Sequence, residues 1–161
     1  MIIPLCSLQA TSDFARTLAR AVTARNPGVL LLYGGLGAGK TTLTRFLVEA
    51  LPGGRDAEVA SPSFTTCNIY CTAPLVHHFD LYRLESGCVD EALEESLDDA
   101  SVLTVVEWPE RMAAHAVPED GLVCKLIACG DLERRIELTA LGSAGAGNLS
   151  HLALHYPQQR G

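Results

Sequence analysis

Nine consecutive residues, Gly34-Gly35-Leu36-Gly37-Ala38-Gly39-Lys40-Thr41-Thr42, permit very few local folds. Their glycines remove β-carbons where the chain must curl, so that successive N–H groups can turn inward on an anion. The apolar run Val29 to Tyr33 directly before them has the pattern of a buried strand. The segment Thr42 to Leu51 behind them reads as a helix, ended by Pro52-Gly53-Gly54. A strand, a glycine-rich loop and a helix entered through Lys-Thr form the β-loop-α unit of the P-loop class, which points to a bound polyphosphate. In such a unit Lys40 reaches the β- and γ-phosphates, the Thr41 hydroxyl takes a place on Mg²⁺, and the helix entrance turns its positive dipole end to the anion.

The rest of the composition narrows the class. With 161 residues the chain fits one domain with a substantial core. Hydrophobic residues make up 48% of it, yet no uninterrupted apolar stretch approaches the roughly 20 residues that cross a bilayer. Met1 to Leu5 also lacks a basic region ahead of a long apolar one, so a soluble, cytoplasmic protein without membrane contact is expected. A formal net charge of −7 is the wrong sign for gripping nucleic acid by phosphate neutralisation. The six cysteines show no paired CxxC spacing; they read as reduced thiols, most of them small core residues.

Along the chain, Phe14, Leu18, Ala21 and Val22 recur at helical spacing over Ser12 to Ala24, behind the candidate caps Thr11 and Ser12. Thr66 to Tyr70 and Leu75 to Phe79 read as an antiparallel hairpin, Val89 to Leu97 as a helix, and Val102 to Val106 as a buried strand. Leu122 to Ala128 and Arg134 to Leu141 complete a mixed sheet flanked by helices, an α/β fold of the P-loop NTPase type spanning residues 1–141. Residues 142–161 are weakly patterned, and a flexible or docked extension is expected there.

Ligands of α/β sheets collect at the carboxyl ends of the strands. Asp80 and Glu107 each close an apolar strand, and a carboxylate so placed near a phosphate loop can hold Mg²⁺ or orient an attacking water. The hydroxyls of Ser61-Pro62-Ser63-Phe64-Thr65 lie where other P-loop proteins sense the γ-phosphate. His78 shares a strand face with Asp80, where a packed, hydrogen-bonded histidine is the commoner case and orientation of Asp80 the alternative, while Trp108 packs beside the site or serves as an interface anchor. Arg83, Arg111, Arg134 and Arg135 all remain candidate partners for phosphate or for acidic side chains.

The phosphate loop, Ser61 to Thr65, His78-Phe79-Asp80-Leu81-Tyr82-Arg83-Leu84 and Glu107-Trp108-Pro109-Glu110-Arg111, in that order, resemble the bacterial TsaE (YjeE) family over about residues 8 to 140. These are small P-loop ATPases required for N6-threonylcarbamoyladenosine at tRNA position 37. The resemblance implies ATP and Mg²⁺ as cofactors, with phosphates on Leu36, Gly37, Ala38, Gly39, Lys40 and Thr41, and Mg²⁺ on Thr41 and Glu107. It implies that Asp80 and Glu107 serve hydrolysis, with Asp80 at the nucleotide, and that Thr11 lies near the adenine. The family's late nucleotide-contacting arginine falls on Arg134, with Arg135 adjacent. Its implied partners are TsaD, the carbamoyl transferase, and TsaB, with tRNA reached mainly through them. Two positions depart from the family: Gly35 stands where Asp is usual, and Ser63 where Thr is usual.

A small-molecule or nucleotide kinase is the alternative of a different class. A kinase adds an arginine-rich lid, and 12 basic residues with no arginine cluster argue against one. A signalling GTPase is further away, since no Asn-Lys-x-Asp segment occurs and Asp80-Leu81-Tyr82-Arg83 lacks the switch glycine.

Overall fold

The strands β1 (Ile2–Leu5), β2 (Val29–Tyr33), β3 (Cys67–Tyr70), β4 (Leu75–Asp80), β5 (Val102–Glu107), β6 (Gly121–Ala128) and β7 (Arg134–Leu141) form one seven-stranded sheet in the order β1-β7-β6-β2-β5-β4-β3. The computed structural model describes residues 1–24, 28–62, 66–87 and 90–156. β2 lies between β5 and β6 and runs parallel to both, and β4 is parallel to β5. The outer pairs β1–β7, β6–β7 and β3–β4 are antiparallel. This explains the apolar runs: a strand covered on both faces has no polar side to alternate with, and Val102 to Glu107 are buried without exception. Register then sets the site, because Leu32 of β2 pairs with Glu107 of β5 and Glu107 with Asp80 of β4. Both carboxylates thus reach the strand end from which the glycine loop departs.

Four helices, α1 (Leu8–Ala24), α2 (Lys40–Ala50), α3 (Glu91–Asp98) and α4 (Gly142–His155), accompany the sheet. Helix α1 buries Phe14, Ala15, Leu18, Ala19, Ala21 and Val22. It begins a turn earlier than its apolar spacing predicts, because Ser7 Oγ accepts the Ala10 amide at 3.1 Å and takes the capping position from Thr11 and Ser12. Helix α3 starts behind Asp90, whose Oδ1 accepts the Leu93 amide at 3.1 Å. The strand β1 is absent from the sequence reading, since four residues containing Pro4 carry too little pattern.

Residues 142–155, unpatterned in sequence, are the helix α4, packed on β6, β7 and α1. Its cap comes from far away: Asp120 accepts the Ala144 amide at 3.0 Å and the Gly145 amide at 2.9 Å. Those two amides, Gly145 first, hold the Asp120 carboxyl below the usual carboxylate range. Gly145 is a contact requirement, since a β-carbon there would stand 1.8 Å from the Gly121 carbonyl oxygen. Gly145→Ala is therefore expected to cost about 3 kcal/mol by overpacking. In thermal unfolding this is a fall of about 10 °C, and an unchanged midpoint would show that α4 does not dock as described.

The cysteines depart from the core assignment. Of those described, Cys124 is buried, Cys67 half-buried, and Cys6, Cys71 and Cys129 are exposed. The exposed three lie in connections just beyond the ends of β1, β3 and β6, where no element covers them. Burial pushes the Cys124 thiol up to about 12 and that of Cys67 up to about 11.

Candidate nucleotide site

The loop after β2 turns through Gly37 at φ 74° and Gly39 at φ 101°, left-handed values that L side chains rarely adopt. At Gly34 a β-carbon would also strike the Leu126 carbonyl oxygen at 2.6 Å. Within this curl Lys40, only 5% exposed, donates through Nζ to the carbonyls of Gly34 at 2.6 Å and Gly35 at 3.0 Å. The ring of Trp108 lies across it, 3.8 Å from centroid to Nζ. Burial lowers the Lys40 pKa, and Glu107, Glu110 and Asp80 oppose that shift. Trp108 reaches the ammonium because its own backbone is left-handed, at φ 59° and ψ 48°, as the chain leaves β5.

The carboxylates are set individually. Thr41 Oγ1 donates to Glu107 Oε2 at 3.0 Å, and His78 Nε2 lies 2.9 Å from Glu107 Oε1. Asp80 accepts the Ser61 hydroxyl on Oδ2 and the Tyr82 amide on Oδ1 at 3.0 Å. His78 is thus a packed, hydrogen-bonded histidine, and its partner is Glu107 and not Asp80. The two residues share a face, but the parallel register of β4 and β5 brings the longer glutamate side chain back over the histidine.

These groups open on a cleft of about 430 Å³. Leu36, Gly37, Ala38, Gly39, Lys40, Thr41, Asp80, Glu107 and Arg134 all line it. Thr11 does not; it lines an adjoining pocket of about 50 Å³ that also touches Gly39, Thr42 and Arg134. Ser61 lines the cleft, whereas Ser63, Phe64 and Thr65 fall outside the described residues. Trp108 is a wall of the cleft, and the ring of Tyr82 packs on it at 4.9 Å between centroids. Tyr82 and Glu110 stand inside the two motifs that carry the family resemblance, but no individual role follows from them there.

Between the neighbouring arginines the geometry distinguishes clearly. Arg134 donates to the carbonyls of Ala38 at 3.0 Å and Gly37 at 3.1 Å, and also to those of Gly130, Asp131 and Glu133. It ties the phosphate loop to the β6–β7 turn. Arg135, on the opposite face of β7, pairs with Glu137 at 3.2 Å. Arg134→Ala should weaken ATP binding about tenfold, the loss of buttressing worth one charged hydrogen bond, while Arg135→Ala leaves it unchanged in calorimetric titration. Equal affinities for both variants would remove Arg134 from the site.

The donor set fits the groups this arrangement calls for. Thr41, Asp80 and Glu107 offer hard oxygens of the kind Mg²⁺ prefers, and the curl of glycine amides beside a buried lysine suits a polyphosphate.

A phosphate loop at the carboxyl end of a central parallel strand, with carboxylates delivered by its neighbours, defines a P-loop NTPase fold. The known proteins it resembles agree. The model of the family described as "Threonylcarbamoyl adenosine biosynthesis protein TsaE" matches residues 5–136. The chain is 37% identical over 124 residues to the tRNA threonylcarbamoyladenosine biosynthesis protein TsaE of Bacillus subtilis, covering 76% of each chain. It is 39% identical over 145 residues to that of Streptomyces coelicolor, covering 83% of this chain and 93% of the other. The crystal structure of Bacillus subtilis YdiB superposes with a TM-score of 0.75 at 28% identity, covering 97% and 95% of the two chains. The chain belongs to the TsaE family.

Proposed function

We propose that this protein binds and hydrolyses ATP with Mg²⁺ and works in the cytoplasm as a nucleotide-dependent regulatory partner of TsaB and TsaD in N6-threonylcarbamoyladenosine formation at tRNA position 37. The observation that carries the reading is the contact of Thr41 with Glu107, which joins the first turn of α2 to the end of β5 at the mouth of the phosphate loop. In this proposal the amides of Leu36 to Thr41 and the Lys40 ammonium hold the phosphates, and Thr41 and Glu107 hold the metal. Mg²⁺, when bound, supplies neutralisation of the charge on the phosphate oxygens. Asp80, fixed by Ser61 and the Tyr82 amide, orients the attacking water and accepts its proton. Thr11 lies toward the base side, beyond Gly39.

Turnover by the isolated protein should be slow. Arg134 commits its guanidinium to five main-chain carbonyls and is not poised to meet charge developing on the γ-phosphate. Supply of such a group by a partner is worth ~10³–10⁵ in rate in other P-loop enzymes, so partner-altered turnover is the natural expectation. With a net charge of −7, contact with tRNA falls to TsaB and TsaD. No described helix is long and apolar enough to cross a membrane. The test is a reconstituted TsaB–TsaD system with tRNA in excess: repeated rounds of modification should require this protein and ATP. Equal multiple turnover without it would refute the regulatory role.

A further inference from the structure

We infer that His78 is a positioning residue for Glu107, fixing one carboxylate oxygen so that the other faces Thr41 and the metal. The inference rests on the reading of Glu107 as a metal-holding group.

The two oxygens of Glu107 have separate partners. Oε2 receives the Thr41 hydroxyl at 3.0 Å, and Oε1 lies 2.9 Å from His78 Nε2. His78 is fully buried and Glu107 is 2% exposed, so bulk water does not compete for the bond between them. The tautomer follows from the surroundings. His78 Nδ1 is buried and has no hydrogen-bond partner among the described residues. A proton on Nδ1 alone would leave a buried donor unpaired and set the Nε2 lone pair against a carboxylate oxygen. A proton on Nε2 makes a charge-assisted bond, and the ring then donates to Glu107.

The imidazole is itself held in place. It stacks on Tyr70 with centroids 6.3 Å apart and planes inclined by 29°. The Tyr70 hydroxyl donates to the Ala60 carbonyl at 3.3 Å, and Asn68 Nδ2 donates to the same carbonyl at 3.1 Å. Ala60 directly precedes Ser61, whose hydroxyl holds Asp80. One segment ahead of β3 therefore supports both carboxylates, Asp80 by direct contact and Glu107 through the Tyr70–His78 stack. A carboxylate free to rotate would lose the single orientation that serves Thr41, and outer partners of this kind are worth about 10–100-fold in metal affinity.

The experiment is a Mn²⁺ titration read by electron paramagnetic resonance, with a non-hydrolysable ATP analogue present, on the parent, His78→Phe, His78→Gln and Glu107→Ala. Phenylalanine keeps the stack on Tyr70 and removes the donor, whereas the glutamine amide reaches the place of Nε2. Mn²⁺ affinity should fall at least tenfold in His78→Phe and recover in His78→Gln, with metal-free binding of the analogue unchanged in both. Parent-like affinity in His78→Phe overturns the inference. Should His78→Phe not fold, His78→Asn replaces it, because its amide reaches the place of Nδ1. Loss in Asn with retention in Gln supports the inference, and equal affinities overturn it. Glu107→Ala separates the two levels: parent-like Mn²⁺ affinity there would overturn the metal-holding reading of Glu107 itself.

Discussion

Lys40→Ala is expected to weaken ATP binding by about a hundredfold or more while leaving the fold intact. The ammonium sits within the loop curl, held by the Gly34 and Gly35 carbonyls and by the Trp108 ring. Hydrogen bonds to charged groups are worth about 1.5–3 kcal/mol each, and two phosphates served by one lysine give the hundredfold figure. Stability should move the other way or hardly at all. Burial lowers the Lys40 pKa, so the fold carries a cost for keeping the charge there, and a neutral side chain removes it. Lys40→Met, which retains the stem, should unfold within a few degrees of the parent and still fail to bind ATP in a calorimetric titration. A Met variant with parent-like affinity would mean that the loop amides alone hold the ligand.

Glu107→Ala is expected to give the opposite pattern, nucleotide binding retained and Mg²⁺-dependent hydrolysis reduced by about 10³-fold, the scale of several kcal/mol of charge stabilisation. The carboxylate acts on Lys40 only as one of three negative charges that oppose the fall of its pKa, whereas Thr41 and His78 bond it directly. Its removal leaves the buried His78 and the half-buried Thr41 without their acceptor, at about 1–3 kcal/mol for the buried donor, so the folded fraction has to be measured alongside the rate. Glu107→Gln is the companion variant, since it keeps the shape and an acceptor oxygen. Phosphate release by Glu107→Ala equal to that of the parent would remove Glu107 from the mechanism.

What could be read from the sequence was what is encoded locally. The strand β2, the loop and α2 are contiguous and each has its own pattern, so their order and the placement of Lys40 and Thr41 follow from adjacent residues. Glu107 and Asp80 were legible because a carboxylate interrupting an apolar run is conspicuous. That they meet at one strand end is a matter of register between β2, β5 and β4, which no local pattern specifies. The partner of His78 escaped for the same reason: face periodicity places it beside Asp80, and only the cross-strand geometry brings Glu107 to its Nε2. Helix α4 escaped because Gly142, Gly145 and Gly147 each disfavour a helix by about 1 kcal/mol, while the cap that offsets this, Asp120, lies 25 residues before Gly145. The choice between Arg134 and Arg135 depended on which face of β7 meets the phosphate loop, and β6 stands between β7 and β2 in the sheet.

The most direct measurement is phosphate release from ATP by the purified protein, alone and with TsaB and TsaD, with Glu107→Ala in parallel and nucleosides and sugars offered as acceptors. Slow hydrolysis that the partner pair alters and Glu107→Ala abolishes is expected, with no phosphate on the acceptors. Transfer of phosphate to a small acceptor, indifferent to the partners, would contradict it and make the protein a kinase.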